Sequence, residues 1–314
     1  MSETWSISSK RRYGRSRVCR VWQVPRSTVY DWQRRRENTG KSVGKRGRNP
    51  LVSDQDLVSA IRQVLSGAPE ESFHGEGYRK VWARLRFRGI RADKERIRRL
   101  MGQHDLLAPT RVGKPRGPKV HDGTIIPMAP NVMWGTDATA TWTLKQGQVT
   151  VFAAVDHFTG ECLGIHAAKY GTRHEALEPI RQAVKRVYGT YDARVATGLL
   201  LRHDHGSQYV SHDFQKELRF LGMESSPSFV RSPEGNGVVE RFFRTLKEQL
   251  LWQRYYEDEE KLREALYAFR DRYNENWILQ RHGYRTPQQV RDGWERKLKM
   301  ASYMGVRLIA GDTV

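Results

Sequence analysis

Gln148-Val-Thr-Val-Phe-Ala-Ala-Val-Asp156, then His157-Phe-Thr-Gly160, then Glu161-Cys-Leu-Gly-Ile-His-Ala-Ala168 reads as strand, turn, strand. β-Branched and aromatic residues fill both runs and the four between them are turn chemistry, so the segment predicts a hairpin. Upstream, Val132 to Trp142 predicts another strand. Downstream come a helix over Arg173 to Tyr188, a short buried strand Gly198-Leu-Leu-Leu-Arg-His203, a helix over His212 to Leu221 and a strand over Met223 to Phe229. Helices follow at about Val238–Gln253 and Glu257–Tyr273. Three strands, then helix, strand, helix, strand, helix is an α/β order with a mixed five-stranded sheet and flanking helices.

The residues before this region have another texture. Arg17 to Trp22 reads as a short helix and Gln23-Val24-Pro25 as a turn, with a second helix over residues 26–36. Pro25 suits a helix start, and the pair matches a helix-turn-helix whose reading helix carries Arg26, Ser27 and Thr28. A small helical hairpin that only packs is the competing reading. Further on, Ser53-Asp-Gln-Asp56 predicts a capped helix, Tyr78 to Leu85 a helix ending near Gly89, and Asp93 the cap of Lys94 to Met101. In that last helix Ile97, Leu100 and Met101 fall on one inward stripe, leaving Arg96, Arg98 and Arg99 outside. This is a second helix-turn-helix candidate, with Arg79 and Lys80 on its first helix. Pro109, Pro115, Pro118, Pro127 and Pro130 mark a linker.

The predicted organisation is therefore a basic helix-turn-helix segment over 1–48, a second such domain over 49–108, a Pro/Gly linker over 109–130, an α/β core with C-terminal helices over 131–295, and a tail over 296–314. The 314 residues carry 55 Lys and Arg against 35 Asp and Glu, a net charge of +20. Residues 1–121 hold 29 of those cations against 11 acids, and the rest 26 against 24, so nearly all the excess is in the front. Such a field needs a polyanion, and nucleic acid is the commonest. Nine Trp and ten Phe supply cores and exclude a wholly disordered chain. Two cysteines, Cys19 and Cys162, exclude a disulfide framework and a four-thiolate zinc site. No apolar run is long enough for a membrane span or a signal peptide, so a cytoplasmic protein is expected.

Three carboxylates sit where elements end: Asp137 in the first strand, Asp204 directly after Leu199-Leu-Leu-Arg-His203, and Glu240 opening a late helix. A charged carboxylate beside a buried strand is costly unless paired, and a hard divalent cation is the usual partner. At helical pitch Arg244 lies about 40° and Lys247 about 20° from Glu240, with Lys247 about 10 Å along the same face, a sensible reach for phosphates beside a metal. A solvated Glu–Arg surface pair is the competing reading. Asp156 reads as turn initiation more than as a metal ligand. His203 and His205 flank Asp204 as candidates for proton transfer or hydrogen bonding, while Trp252, Tyr255, Tyr256, Tyr267 and Phe269 read as helix packing.

Trp134-Gly-Thr-Asp137, His203-Asp-His-Gly-Ser-Gln-Tyr209 and Gly237-Val-Val-Glu240-Arg-Phe-Phe243 with Lys247 together resemble the integrase-type DDE transposases. The match is to the second-reading-frame (orfB) transposases of bacterial two-frame insertion sequences. Gly77-Tyr-Arg-Lys-Val-Trp-Ala-Arg-Leu85, Arg96-Ile-Arg-Arg-Leu-Met101 and Tyr284-Arg-Thr-Pro287 also follow that family. His205 and Glu234-Gly-Asn-Gly237 depart from its commoner residues. The resemblance implies a ribonuclease-H-like core and two Mg²⁺, or Mn²⁺ in their place, on Asp137, Asp204 and Glu240. It further implies cleavage of element ends and their transfer to target DNA, binding of terminal inverted repeats, a homo-oligomer on paired ends, and an upstream-frame partner or fusion. A catalytically silent DNA-binding regulator, or a nuclease that cuts without joining, stays open.

Overall fold

The computed structural model describes residues 4–37, 51–67, 73–109, 125, 127–228 and 236–303. The basic stretch Lys41 to Arg48, most of the 109–130 linker, Phe229, Glu234 and residues beyond 303 lie outside them. The chain divides into two compact units, Met1–Leu51 and Val52–Val314.

The first unit is a pair of helices, α1 (Arg15–Val21) and α2 (Arg26–Glu37). Pro25 stands immediately before α2, where its missing N–H costs nothing, and its carbonyl accepts from Thr28 and Val29. Cys19 is the buried residue of α1, and α2 buries none. The guanidinium of Arg15 lies over the Tyr30 ring, 5.6 Å from its centroid; Arg26 first, and then Arg15, hold the Tyr30 hydroxyl below its usual pKa.

The second unit begins with three helices, α3 (Asp54–Leu65), α4 (Tyr78–Phe87) and α5 (Lys94–Gln103). The predicted caps form: Ser53 Oγ accepts from Asp56 N, and Asp93 accepts from Glu95 N and Arg96 N. Gly89 follows α4 in the left-handed region, φ +80°. Leu57, Ile61, Val81, Leu85, Ile97 and Met101 close a core between the three helices.

The sheet has the order β3-β2-β1-β4-β5. β1 (Met133–Thr143), β2 (Gly147–Asp156) and β3 (Cys162–Ala168) are antiparallel neighbours, and β4 (Leu200–His203) and β5 (Glu224–Pro227) run parallel to β1. Alternation along β2 sends Val149, Val151, Ala153 and Val155 to one face and Phe152 and Ala154 to the other. The first face is covered by α9 (Gly237–Leu246) and α10 (Glu259–Asn276), the second by α6 (Arg173–Tyr188) and α8 (His212–Leu221). A short α7 (Ser207–Val210) leads into α8. This is the expected mixed sheet with helices on both faces.

Three details depart from the sequence reading. The late helix expected over Val238–Gln253 is α-helical only to Leu246 and continues as a π-helical turn, Lys247–Leu251. The expected tail after 295 is helical to Tyr303 within α11 (Pro287–Tyr303). Trp252 and Tyr255, read as packing residues, are 69% and 77% exposed, whereas Tyr256 and Phe269 are buried. No helix among the described residues is long and apolar enough to cross a membrane.

Candidate active site

The last rung of the parallel β1–β4 ladder pairs Gly135 with Arg202. Asp137 stands two residues beyond it on β1, and Asp204 directly follows the end of β4. Asp137 is thus mid-way along β1, where its pairing with β4 has ended, and Asp204 is at the carboxyl end of β4, where open α/β sheets commonly place their chemistry. Glu240 reaches the same edge from the first turn of α9. Asn236, just before that helix, donates from Nδ2 to the Thr136 carbonyl at 3.2 Å, which fixes the helix start one residue from Asp137.

A glycine makes this approach possible. A Cβ on Gly135 would come within 2.3 Å of Val239 Cγ2, 2.5 Å of His157 Nε2 and 2.8 Å of Asn236 Oδ1. A side chain there would force Val239, His157 and Asn236 to shift, and two of these seat the start of α9 against β1. A glycine inside a strand signals such close contact. Gly135, between Trp134 and Thr136, carries that signal, and reasoning from the carboxylates alone misses it.

Asp137 is partly buried, and its pKa is pushed up to about 6. Burial is the largest cause; the Ala138 N–H that donates to Oδ1 at 2.8 Å opposes it, Asp204 and Glu240 add to it, and Lys247 draws it back. Asp204 is exposed and accepts from its own loop, Gly206 N, at 2.9 Å. Partial burial raises the pKa of Glu240, against the pull of Arg244. Among the described residues, no three His, Cys, Asp or Glu side chains stand close enough to hold one metal ion. The three carboxylates therefore share an edge and a field, with Asp137 and Asp204 each turned to a backbone N–H. Tyr209, fully buried, has its hydroxyl in the field of Asp137 and Asp204, and burial raises its pKa.

The neighbouring residues have other duties. His203 is buried, with Nδ1 2.6 Å from the Asp204 carbonyl and Nε2 2.8 Å from Ser225 Oγ. It is a hydrogen-bonding side chain that holds the Asp204 backbone, and burial lowers its pKa. His205 is exposed. Asp156 starts the β2–β3 turn, as expected, accepting from Thr159 N and Asn131 N at 2.7 Å each.

Among the basic candidates, Arg244 is exposed and Lys247 partly buried. Arg26 and Ser27 are exposed on α2, with Thr28 partly buried. Arg98 is exposed beside Glu95, and Arg79 donates to the Tyr78 hydroxyl. Arg96 is engaged inside the unit: its guanidinium binds Asp54 and, at 2.7 Å, the Val52 carbonyl. Arg99 also reaches Asp54, at 3.3 Å. Lys80 lies over the Trp277 ring, 4.0 Å from Glu76.

Two integrase core domain models match this chain, one over residues 127–233 and the other over 221–287. Among curated proteins it is similar to the transposase InsD for insertion element IS2A/D/F/H/I/K of Escherichia coli, 28% identical over 285 residues, which cover 89% of this chain and 91% of that one. Among solved structures it is similar to the catalytic core domain of BIV integrase, with 22% identity, 55% of this chain and 99% of that chain covered and a TM-score of 0.40. A chain of the simian T-cell lymphotropic virus intasome, solved in complex with PP2A regulatory subunit B56 gamma, gives 23% identity, 66% and 69% coverage and a TM-score of 0.45.

Proposed function

We propose, on the premise that this chain belongs to the transposase and integrase family of polynucleotidyl transferases, that it cleaves the ends of an insertion element and joins their 3′ ends to target DNA. The observation that carries the reading is the carboxylate edge: an aspartate on β1, another directly after the neighbouring parallel strand β4, and a glutamate on a helix whose start is hydrogen-bonded beside the first.

Asp137, Asp204 and Glu240 are hard oxygen donors, and the burial, with the added like charge of Asp204 and Glu240, that raises the pKa of Asp137 to about 6 is what a divalent cation would offset. The chemistry of these donors, though not their present spacing, suits Mg²⁺, with Mn²⁺ as a substitute. Two such ions, when bound, would activate the attacking water or DNA 3′-hydroxyl and stabilise the leaving oxygen. The chain's own residues do the rest. Arg244 and Lys247, on the Glu240 side of the helix, hold the phosphates that flank the scissile bond. In-line displacement needs positioning and charge neutralisation, so neither a Ser nor a Tyr nucleophile is required, and the same edge serves cleavage and joining.

The helices of both units supply end recognition. Arg26, Ser27 and Thr28 read the terminal repeat from α2, and Arg79, Arg98 and Arg99 grip its backbone. Lys80 and Arg96 contribute through the frame they hold. Two or more copies assemble on paired ends, alone or with an upstream-frame product.

The test is incubation of the protein with the DNA flanking its own gene and Mg²⁺, scoring cleaved and joined strands. Both products are expected. Cleavage without joining would make it a nuclease, and binding without cleavage a regulator; either overturns the reading.

A further inference from the structure

The π-helical turn at the end of the catalytic helix is closed by the Trp252 amide, which donates to the Lys247 carbonyl five residues back at 2.9 Å. Such a turn holds one residue more than α pitch allows and recurs at functional sites. Here a side chain holds it in place. Gln249, nine-tenths buried in the middle of the turn, uses both ends of its amide on one distant residue. Its Oε1 accepts from the His74 N–H and its Nε2 donates to the His74 carbonyl, each at 2.8 Å. A side-chain amide thus pairs with the backbone as a neighbouring strand would.

His74 lies in the strap Phe73–Gly77 that leads into α4, and the strap is fastened elsewhere too. Phe73 is buried edge-on against Trp277, ring centroids 4.8 Å apart. Glu76, 4% exposed, is bound by Arg84, whose guanidinium also reaches the Asn276 carbonyl at 3.0 Å. The strap therefore ties the π turn to the end of α10 and to the α3–α5 helices.

Two residues along a helix of about four residues per turn is the opposite side. Gln249 is held from behind by the strap, while Lys247 faces the Glu240 side, within electrostatic reach of Asp137. We propose that Gln249 is a positioning residue which, by clamping His74, fixes the π turn and aims Lys247 at a DNA phosphate beside the carboxylate edge. The proposal rests on the reading of Lys247 as a phosphate contact.

The experiment is a double-mutant cycle on the full chain with element-end DNA and Mg²⁺: wild type, Gln249→Leu, Lys247→Ala and the double variant. Each single change is expected to slow strand transfer about 10- to 100-fold. The double variant should be no slower than Lys247→Ala, because Gln249 acts through Lys247. Both singles should also lower the salt dependence of the reaction by about one phosphate contact, a change that weaker folding would not produce. Losses that multiply, or a salt slope that Gln249→Leu leaves unchanged, overturn the proposal. A Lys247→Ala protein that transfers strands normally overturns instead the reading of Lys247 beneath it. Gln249→Leu strips both His74 groups of their partner. If it does not fold, Gln249→Glu, which keeps the acceptor for the His74 N–H, goes through the same cycle with the same criteria.

Discussion

The β2–β3 turn and the carboxylate edge lie close together across the β1–β2 ladder, and each holds a shielded aspartate. Asp156, opposite Trp134 in the β1–β2 ladder, is fully buried and accepts from Asn131 N, Thr159 N and Thr159 Oγ1. Asp137, three residues along β1 from Trp134, is less buried, accepts from Ala138 N, and faces two further carboxylates. Burial alone therefore does not mark the functional group; the company each buried aspartate keeps does. Asp156 has its charge matched by three donors and serves the turn, whereas Asp137 has one backbone donor against burial and two like charges, a penalty that a bound cation or a proton would lift.

The change expected to have the largest effect separates the edge from everything that grips DNA. Glu240→Gln should lower strand transfer by about 10²–10³-fold or more while a gel-shift assay shows unchanged end binding. Lost binding in a folded protein would remove Glu240 from the chemistry and break the contrast on its functional side.

On its structural side, Asp156→Ala should destabilise the protein by about 3 kcal/mol, since two backbone N–H groups and a hydroxyl lose their acceptor. Denaturant unfolding reads this directly. A midpoint equal to wild type would mean that the turn does not depend on Asp156.

Asp137→Asn should act in the opposite direction. The folded pKa of Asp137, about 6, lies above its unfolded value of 3.8. As pH rises through that window the unfolded chain releases the proton first, so stability falls and the full penalty is present above pH 6. The asparagine variant has no such penalty. Without divalent ions its melting temperature should exceed wild type by a few degrees at pH 7.5, about 1–2 kcal/mol after allowance for partial exposure, and the gap should close below pH 4. Adding Mg²⁺ should raise wild type more than the variant. Equal melting at pH 7.5 would deny that burial and like charge penalise the Asp137 carboxylate.

The smallest effects sharpen the same distinction between matched and unmatched charge. Arg96→Ala should lower stability by about 1 kcal/mol through its lost bonds to Asp54 and Val52. Arg98→Ala should leave melting unchanged and reduce the salt slope of DNA binding by about one. If the two variants behave alike, the internal tie of Arg96 does not distinguish it.

Much of this plan is legible in the amino-acid order alone. The hairpin around His157-Phe-Thr-Gly160, the caps Ser53 and Asp93 and the inward stripe Ile97, Leu100, Met101 depend on contacts within a few residues, and local pattern dictates them. Asp137, Asp204 and Glu240 are conspicuous for a similar reason, as charges set against apolar strands and a helix start. The end of α11 is hidden because, among its described residues, only Pro287 and Val290 are buried, too few for a periodic signal.

What the linear order does not reveal is which partner each polar side chain meets. Arg96 and Arg98 are two positions apart on one helix; Asp54, 42 residues earlier in the chain, takes the first, and the second stays beside Glu95 at the surface. The π turn depends on Gln249 finding His74, 175 residues away, and Glu240 depends on Gly135 letting α9 close on β1. Backbone hydrogen bonding over three or four residues settles where elements begin and end. The duty of a charged or amide group is settled by whichever distant atoms the packed core brings within about 3 Å, and only the folded chain brings them there.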